Sequence, residues 1–183
     1  MRRLSSRHET LNFLLTNRIP RRFATTLAGR VARIENRWLT RVGMHVWQAF
    51  GGSLDLGEAA TQDFASLEAV FTRRLKPGSR VIDATPDVLT SPCDAIVGAH
   101  GIVEDGMAIQ AKGMPYPLRD LLLDPELERR HSGGRFVTLR LRSTMYHRFH
   151  SPCDGLIRSA LWIAGETWNV NPPALKRIEH LFC

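Results

Sequence analysis

The sequence predicts an α+β protein, with N-terminal amphipathic helices followed by a mainly antiparallel β body. Three observations carry that expectation. Apolar residues between Arg21 and Val42 recur at steps of three and four, the period of a single helical face. After Lys76-Pro77-Gly78 the texture changes to short apolar runs punctuated by Gly, Pro and Asp, as strands and tight turns require. The net charge of +7 is gathered at one end: residues 1–50 hold ten arginines against Glu9 and Glu35, while the rest carries 15 basic and 16 acidic side chains. The implied organisation is a basic, helical, membrane-associating arm over residues 1–60 and a near-neutral body over residues 61–183.

In the arm, Leu11, Phe13, Leu14 and Leu15 form a short apolar patch next to Arg18. The clearest periodic element follows. Phe23, Leu27, Val31, Ile34, Trp38 and Val42 share one helical face, and Arg30, Arg33, Arg37 and Arg41 form another row. Pro20 stands where a helix starts and Gly43 where it stops, so one helix over 21–42 is expected. Arginines on one face and aromatics on the other suit a membrane interface, and each basic residue near an anionic leaflet contributes roughly 1 kcal/mol. The alternative is a core helix with a solvated arginine side. Nucleic acid is the weaker partner, because no recognition motif accompanies the basic residues.

Gly51-Gly52-Ser53 breaks the pattern. A short helix is expected from about Asp63 to Arg74, with Phe64, Leu67, Val70 and Phe71 apolar, closed by Lys76-Pro77-Gly78. Ala95–Val103 and Met107–Ala111 flank Glu104-Asp105-Gly106, and Asp-Gly is a strong hairpin signal. Leu118–Arg130 reads as helical, interrupted at Asp124-Pro125. Arg135–Ser143 alternates, with Val137, Leu139 and Leu141 on one face and Thr138, Arg140 and Arg142 on the other. Gly155–Ile163 reads as a further strand, and Trp168–Val170 as extended. Pro172-Pro173 forbids a central strand.

A chain of 183 residues, 43% hydrophobic and 23% charged, can bury a real core in one domain, or in one domain with an appendage. Cys93, Cys153 and Cys183 make no even-numbered framework, and without a signal peptide reduced thiols in a cytosolic compartment are expected. No apolar run approaches the roughly 18–20 residues that span a bilayer. The Arg-rich, acid-poor arm also has the composition of a mitochondrial presequence.

Chemistry is concentrated in Met145–Ile157. His147 and His150 stand three apart; on a strand end they face opposite ways, whereas on a turn or helix they share a side. Imidazole is the usual general acid–base at neutral pH, and a carboxylate orients it; Asp94 and Asp154 are both candidates. His-x-x-His with nearby Cys could instead bind zinc, although no Cys-x-x-Cys pair accompanies it, and a histidine pair is often structural. The tetrapeptide Ser151-Pro152-Cys153-Asp154 repeats Ser91-Pro92-Cys93-Asp94.

Several stretches, in order, resemble the phosphatidylserine decarboxylase family. Phe71-Thr72-Arg73-Arg74-Leu75-Lys76-Pro77-Gly78, with Arg80, Ile82 and Asp83, resembles its F-x-R-x-L-K/R-P segment. Ser91-Pro92-Cys93-Asp94 resembles its S/M-P-x-D turn. Ile109-Gln110-Ala111-Lys112-Gly113, with Tyr116 and Leu118, resembles its I-Q-x-K-G-x-x-Y-x-L run. Tyr146-His147-Arg148-Phe149-His150-Ser151-Pro152-Cys153-Asp154-Gly155 resembles its Y-H-R-x-H-x-P-x-x-G signature, and Val170-Asn171-Pro172 with Leu181-Phe182 the segment near the end of that region. The resemblance spans residues from about 64 to 183.

The resemblance implies a pyruvoyl-dependent lyase that converts phosphatidylserine to phosphatidylethanolamine and carbon dioxide through a Schiff base. It implies that Asp94 is the catalytic aspartate, that His150 works with it, that His147 lies beside the substrate as a proton donor, and that Asp154 is a turn residue. In the family a serine in an L-G-S-S/T motif cuts its own backbone and leaves the pyruvoyl group on a new N-terminus. The 183 residues contain no such motif. The expectation is therefore an incomplete β body, a fragment that lacks the pyruvoyl-forming serine, depends on a missing α chain and is inactive alone. A non-catalytic peripheral membrane-binding remnant is the alternative. No metal is expected. The expected partners are phosphatidylserine and an anionic membrane surface, with a homodimer compatible. The expected location is the cytoplasmic face of a bacterial inner membrane, or else the mitochondrial inner membrane.

Overall fold

The computed structural model describes residues 21–109 and 115–163. The patch at Leu11–Leu15, residues 110–113 of the Ile109–Gly113 run, Trp168–Val170, Pro172-Pro173, Leu181-Phe182 and Cys183 lie outside them. The fold is α+β, with N-terminal helices followed by strands in small, incomplete sheets. Contacts divide it into two compact units, one built from Ala28–Ile96 and Arg140–Trp162, the other centred on Val97–Leu139.

The periodic segment forms two helices, α1 (Arg21–Ala32) and α2 (Arg37–Gly51), instead of the single helix expected over 21–42. The break follows from Asn36. Its backbone is extended, at φ −144°, and its side chain accepts from the Leu39 amide at 3.0 Å. That makes it an N-cap, which starts a new helix rather than continuing the old one. Gly43 does not stop α2 either. A Cβ there would come within 2.9 Å of the Leu67 side chain, so the glycine admits a close neighbour. The true stop is Gly52, whose φ of 90° favours glycine and whose amide donates to Gln48 at 3.0 Å. The apolar stripe stays outside any core: Phe23, Leu27, Val31, Ile34, Trp38 and Val42 are all exposed, Trp38 by 72%, and the stripe continues to Phe50 at 91%.

The core of the first unit is Leu54, Ala59, Phe64 and Val70, packed against Met44 and Trp47 of α2 with Leu56 and Ala69. Residues on both sides of position 60 thus share it. A 3₁₀ turn, Leu56–Glu58, leads into an antiparallel bridge between Ala59 and Leu75. Ser66 caps the short α3 (Leu67–Phe71) by accepting from Ala69, which starts the helix later than the expected Asp63. Lys76-Pro77-Gly78 turns the chain as expected, with the Ser79 amide donating to Lys76 at 3.2 Å.

In the second unit, β1 (Ile96–Ile102) pairs with β4 (Arg135–Arg140). The strands run antiparallel, since Gly98 faces Thr138 and Gly101 faces Phe136. β2 (Met107–Ile109) pairs antiparallel with β3 (Pro115–Pro117), Ala108 opposite Tyr116. The Asp-Gly turn forms, with φ of 49° and 69° at Asp105 and Gly106 and a 2.8 Å bond from Met107 to Glu104. Its flanks do not continue as the expected hairpin, because β1 and β2 each take another partner. Asp124-Pro125 separates α4 (Leu118–Leu122) from α5 (Pro125–His131): Asp124 accepts from the Glu126 and Leu127 amides, and Pro125 occupies the first turn. The expected alternation of β4 appears only in part, with Leu139 partly covered and Arg140 exposed. Val137 is 54% exposed, whereas Phe136 and Thr138 are partly covered. No strand forms over Gly155–Ile163, and Trp162 is 92% exposed; no neighbouring strand supplies a ladder for these residues among those described.

Candidate functional site

The repeated tetrapeptides hydrogen-bond to each other. The Thr90 amide donates to the Pro152 carbonyl at 3.0 Å, and the His150 amide donates to the Pro92 carbonyl at 2.7 Å. This pattern brackets a directly opposed pair in an antiparallel ladder, here Ser91 and Ser151. Each serine hydroxyl donates to the carbonyl two residues on, Ser91 to Cys93 at 2.7 Å and Ser151 to Cys153 at 2.5 Å. Like sequences therefore make like turns on either side of a local two-fold, and the two turns carry Asp94 and His150 to the wall of one cavity.

That cavity encloses about 550 Å³ and is lined by Arg74, Lys76, Arg80, Asp94, Tyr146, Arg148 and His150, among others. Asp94 is held by Arg80, whose Nε donates to Oδ1 at 2.9 Å and whose Nη2 donates to Oδ2 at 2.5 Å. The Nη1 of Arg80 also reaches Glu58 at 2.9 Å. The hydrogen bonds from Arg80, ahead of the more distant charges of Arg73 and His150, hold the Asp94 carboxyl below the usual carboxylate range. Asp94 in turn raises the affinity of Arg80 for its proton.

The His150 side chain pairs with Tyr146. The Tyr146 hydroxyl and His150 Nε2 share a 3.0 Å hydrogen bond, with the rings stacked at 5.8 Å. Asp94 and His150 thus line one cavity, but their bonded partners are Arg80 and Tyr146 respectively. His147 is directed elsewhere. Its Nε2 donates to the carbonyls of Arg142 and Ser143 at 3.0 and 3.2 Å, its ring stacks on Phe71 at 4.0 Å, and it is not part of the cavity wall. The segment is neither strand nor helix, and the two histidines do not share a side. Asp154 is exposed in the second turn. Among the described residues no group of three His, Cys, Asp or Glu side chains is arranged to hold a metal ion.

Three residues that sequence reasoning gave no role organise the site. Arg80 and Tyr146 were legible only as letters of motifs. Arg73, the arginine of the F-x-R-x-L-K/R-P segment, is buried at 4% exposure. Its guanidinium donates to the carbonyls of Val70, Leu54 and Thr144 at 3.0–3.2 Å, and its Nε has no partner. Burial lowers its proton affinity. Arg73 ties α3, the Leu54 loop and the segment leading to Tyr146 together from inside. Arg148 adds an outer tie, its Nε donating to the Thr72 carbonyl at 2.9 Å.

The family model for phosphatidylserine decarboxylase matches residues 67–183. The phosphatidylserine decarboxylase proenzyme of Aliivibrio salmonicida is 34% identical over 167 residues, covering 89% of this chain and 58% of the relative. That of Sodalis glossinidius is 36% identical over 178 residues, covering 95% and 60%, and that of Halorhodospira halophila is 39% identical over 170 residues, covering 90% and 56%. The chain spans less than two thirds of the length of these curated relatives.

Proposed function

The chain belongs to the phosphatidylserine decarboxylase family, and on that premise we propose that the cavity lined by Asp94 and His150 is the headgroup site of an enzyme converting phosphatidylserine to phosphatidylethanolamine and carbon dioxide. The observation that carries this reading is the approach of two distant motif residues, a carboxylate and an imidazole, to one cavity.

The residues present fit a pyruvoyl group. That group offers only acceptor oxygens, and Arg74, Lys76, Arg80, Tyr146 and Arg148 make the wall rich in donors. When bound, it supplies an electron sink for the bonding pair released with carbon dioxide. His150 delivers the proton that replaces the lost carboxylate on the substrate carbon, and the Tyr146 hydroxyl orients its Nε2. Asp94, fixed by Arg80, stabilises the imidazolium through its negative charge. In maturation His150 takes the proton of a serine hydroxyl as its oxygen bonds to the preceding carbonyl carbon. The carbon–nitrogen bond then breaks and the nitrogen takes a proton. His147, tied to two carbonyls, supports the loop that presents Tyr146 and His150 rather than donating the proton. Since no L-G-S-S/T run occurs in the 183 residues, the serine belongs to further polypeptide, and these residues alone do not turn over.

The test joins the chain to a serine-bearing segment and measures carbon dioxide release from phosphatidylserine vesicles. Release is expected from the joined polypeptide and none from the 183 residues by themselves. D94N and H150A should each lose about 100-fold or more. Turnover by the 183 residues alone, or an undiminished rate in H150A, would overturn the assignment.

Peripheral attachment at the cytoplasmic face of a bacterial inner membrane belongs to the same proposal. It is supported by the exposed aromatic and aliphatic stripe of α1 and α2 beside their arginines; no described helix is long and apolar enough to cross a bilayer. Flotation with phosphatidylglycerol vesicles, but not with phosphatidylcholine alone, is the expected behaviour. Flotation without turnover even in the joined polypeptide would favour the non-catalytic membrane-binding remnant.

A further inference from the structure

We infer that Arg74 and Arg148, with Lys76 beside them, form a phosphodiester subsite in this cavity. The inference rests on the headgroup reading above and specifies which chemical group these cations hold.

Four cationic side chains line the cavity against a single carboxylate, Asp94. Asp94 is already engaged by Arg80, and Arg80 meets a second carboxylate in Glu58. Arg80 is therefore already paired, by two carboxylates, and is not free for a further anion. Arg74, Lys76 and Arg148 make no ion pair among the described residues. Lys76 Nζ donates to the Gly57 carbonyl at 2.8 Å and Arg148 Nε to Thr72. These bonds fix the side chains and leave both terminal nitrogens of Arg148 and the whole guanidinium of Arg74 to serve an anion. Two forked guanidiniums are matched to a phosphate's paired oxygens.

The substrate carries two anionic groups, and the chemistry distinguishes them. Its carboxylate must leave as neutral carbon dioxide. A cation paired to that group would stabilise the ground state more than the transition state and slow the reaction. The phosphodiester keeps its charge throughout, so gripping it lowers KM without opposing the chemical step. The same wall includes Val81 and Ile82, both exposed, apolar neighbours suited to the glycerol side of the headgroup.

The test titrates the chain with four soluble probes: glycerophosphoserine, glycerophosphoethanolamine, serine and inorganic phosphate. The first two are expected to bind with affinities within about threefold of each other, because both carry the phosphodiester, and serine is expected not to bind. R74Q/R148Q should weaken glycerophosphoserine binding about tenfold or more, with R74K/R148K recovering part of it. If the double variant misfolds by circular dichroism, single R74Q and R148Q, both at exposed positions, replace it and should each weaken binding measurably. Unchanged affinity in the folded variants overturns the subsite. Inorganic phosphate binding as tightly as glycerophosphoserine also overturns it, marking a site for free phosphate. In the joined polypeptide R74Q/R148Q should raise KM more than it lowers kcat, and H150A should do the reverse. A joined polypeptide that binds glycerophosphoethanolamine through these arginines yet releases no carbon dioxide would refute the catalytic reading and leave the subsite standing.

Discussion

The backbone amide of His150 donates to the carbonyl of Pro92 over 2.7 Å, joining two turns that the sequence spells with the same four letters. The alignment of the site is thus set by main chain, and the Thr90 side chain reinforces it, Oγ1 donating to Pro152 at 3.1 Å. T90V should remove this partly buried bond at a cost of about 1 kcal/mol, and T90S should retain most of it. Urea denaturation measures both; no difference between the variants would show that the hydroxyl adds nothing to the backbone pair.

The Arg80–Asp94 pair predicts a direction in acid. The folded-state carboxyl titrates below its ordinary value of 3.8, so its stabilising effect is present above that value and is lost as the pH falls through the lower folded-state value. With the Arg80 side chain 40% exposed, screening limits the effect to about 1 kcal/mol or less. Wild type should therefore exceed R80Q in stability near neutrality, with the margin shrinking as the pH drops below about 4. A margin that grows in acid would contradict the pairing.

Arg73 carries a larger stake. R73M would leave the carbonyls of Val70, Leu54 and Thr144 without the charged donor that now serves them. The expected cost is about 2–4 kcal/mol, and R73K, with fewer and differently placed donors, should fall between. Thermal unfolding would read the order. Because Thr144 leads into Tyr146, the stacked Tyr146–His150 pair should also loosen, visible as altered imidazole chemical shifts in the folded R73K protein.

The cysteines of the two like turns should react unlike. Burial and then the neighbouring Asp94 charge push the Cys93 thiol up, whereas Cys153 is exposed. Thiolate is the reactive form, so iodoacetamide near pH 8 should label Cys153 about tenfold faster or more, and D94N should accelerate Cys93. Peptide mass spectrometry resolves the sites, and equal rates would contradict the environment described for Cys93.

What could be read in the sequence depended on whether the signal was local. Asp124-Pro125 and Lys76-Pro77-Gly78 act within a few residues of themselves, and each does in the fold what it promises in the sequence. Asn36 was equally local, but the unbroken apolar period hid it, since two successive helices can share one stripe. The Asp-Gly turn shows the opposite limit: its dihedrals are encoded at Asp105 and Gly106, but the partner of each flanking strand is not. Asp94 and His150 were legible as motif positions. Their meeting in a cavity, the Arg80 clamp and the burial of Arg73 arise from contacts between distant stretches, which no spacing along the chain expresses. His147 was ambiguous for the same reason, because only the path of an irregular loop decides which carbonyls its nitrogen meets.

Thr90 and Pro152 stand 62 positions apart, and the entropy of closing such a span grows only logarithmically, by about 0.6 kcal/mol for each doubling of its length. The clasp is therefore nearly indifferent to how much polypeptide runs between its halves. An exposed turn in the interval, such as the one at Gly133, can be lengthened by a handful of residues at small thermodynamic penalty, which gives the intervening stretch freedom to diversify while the reactive groups keep their address.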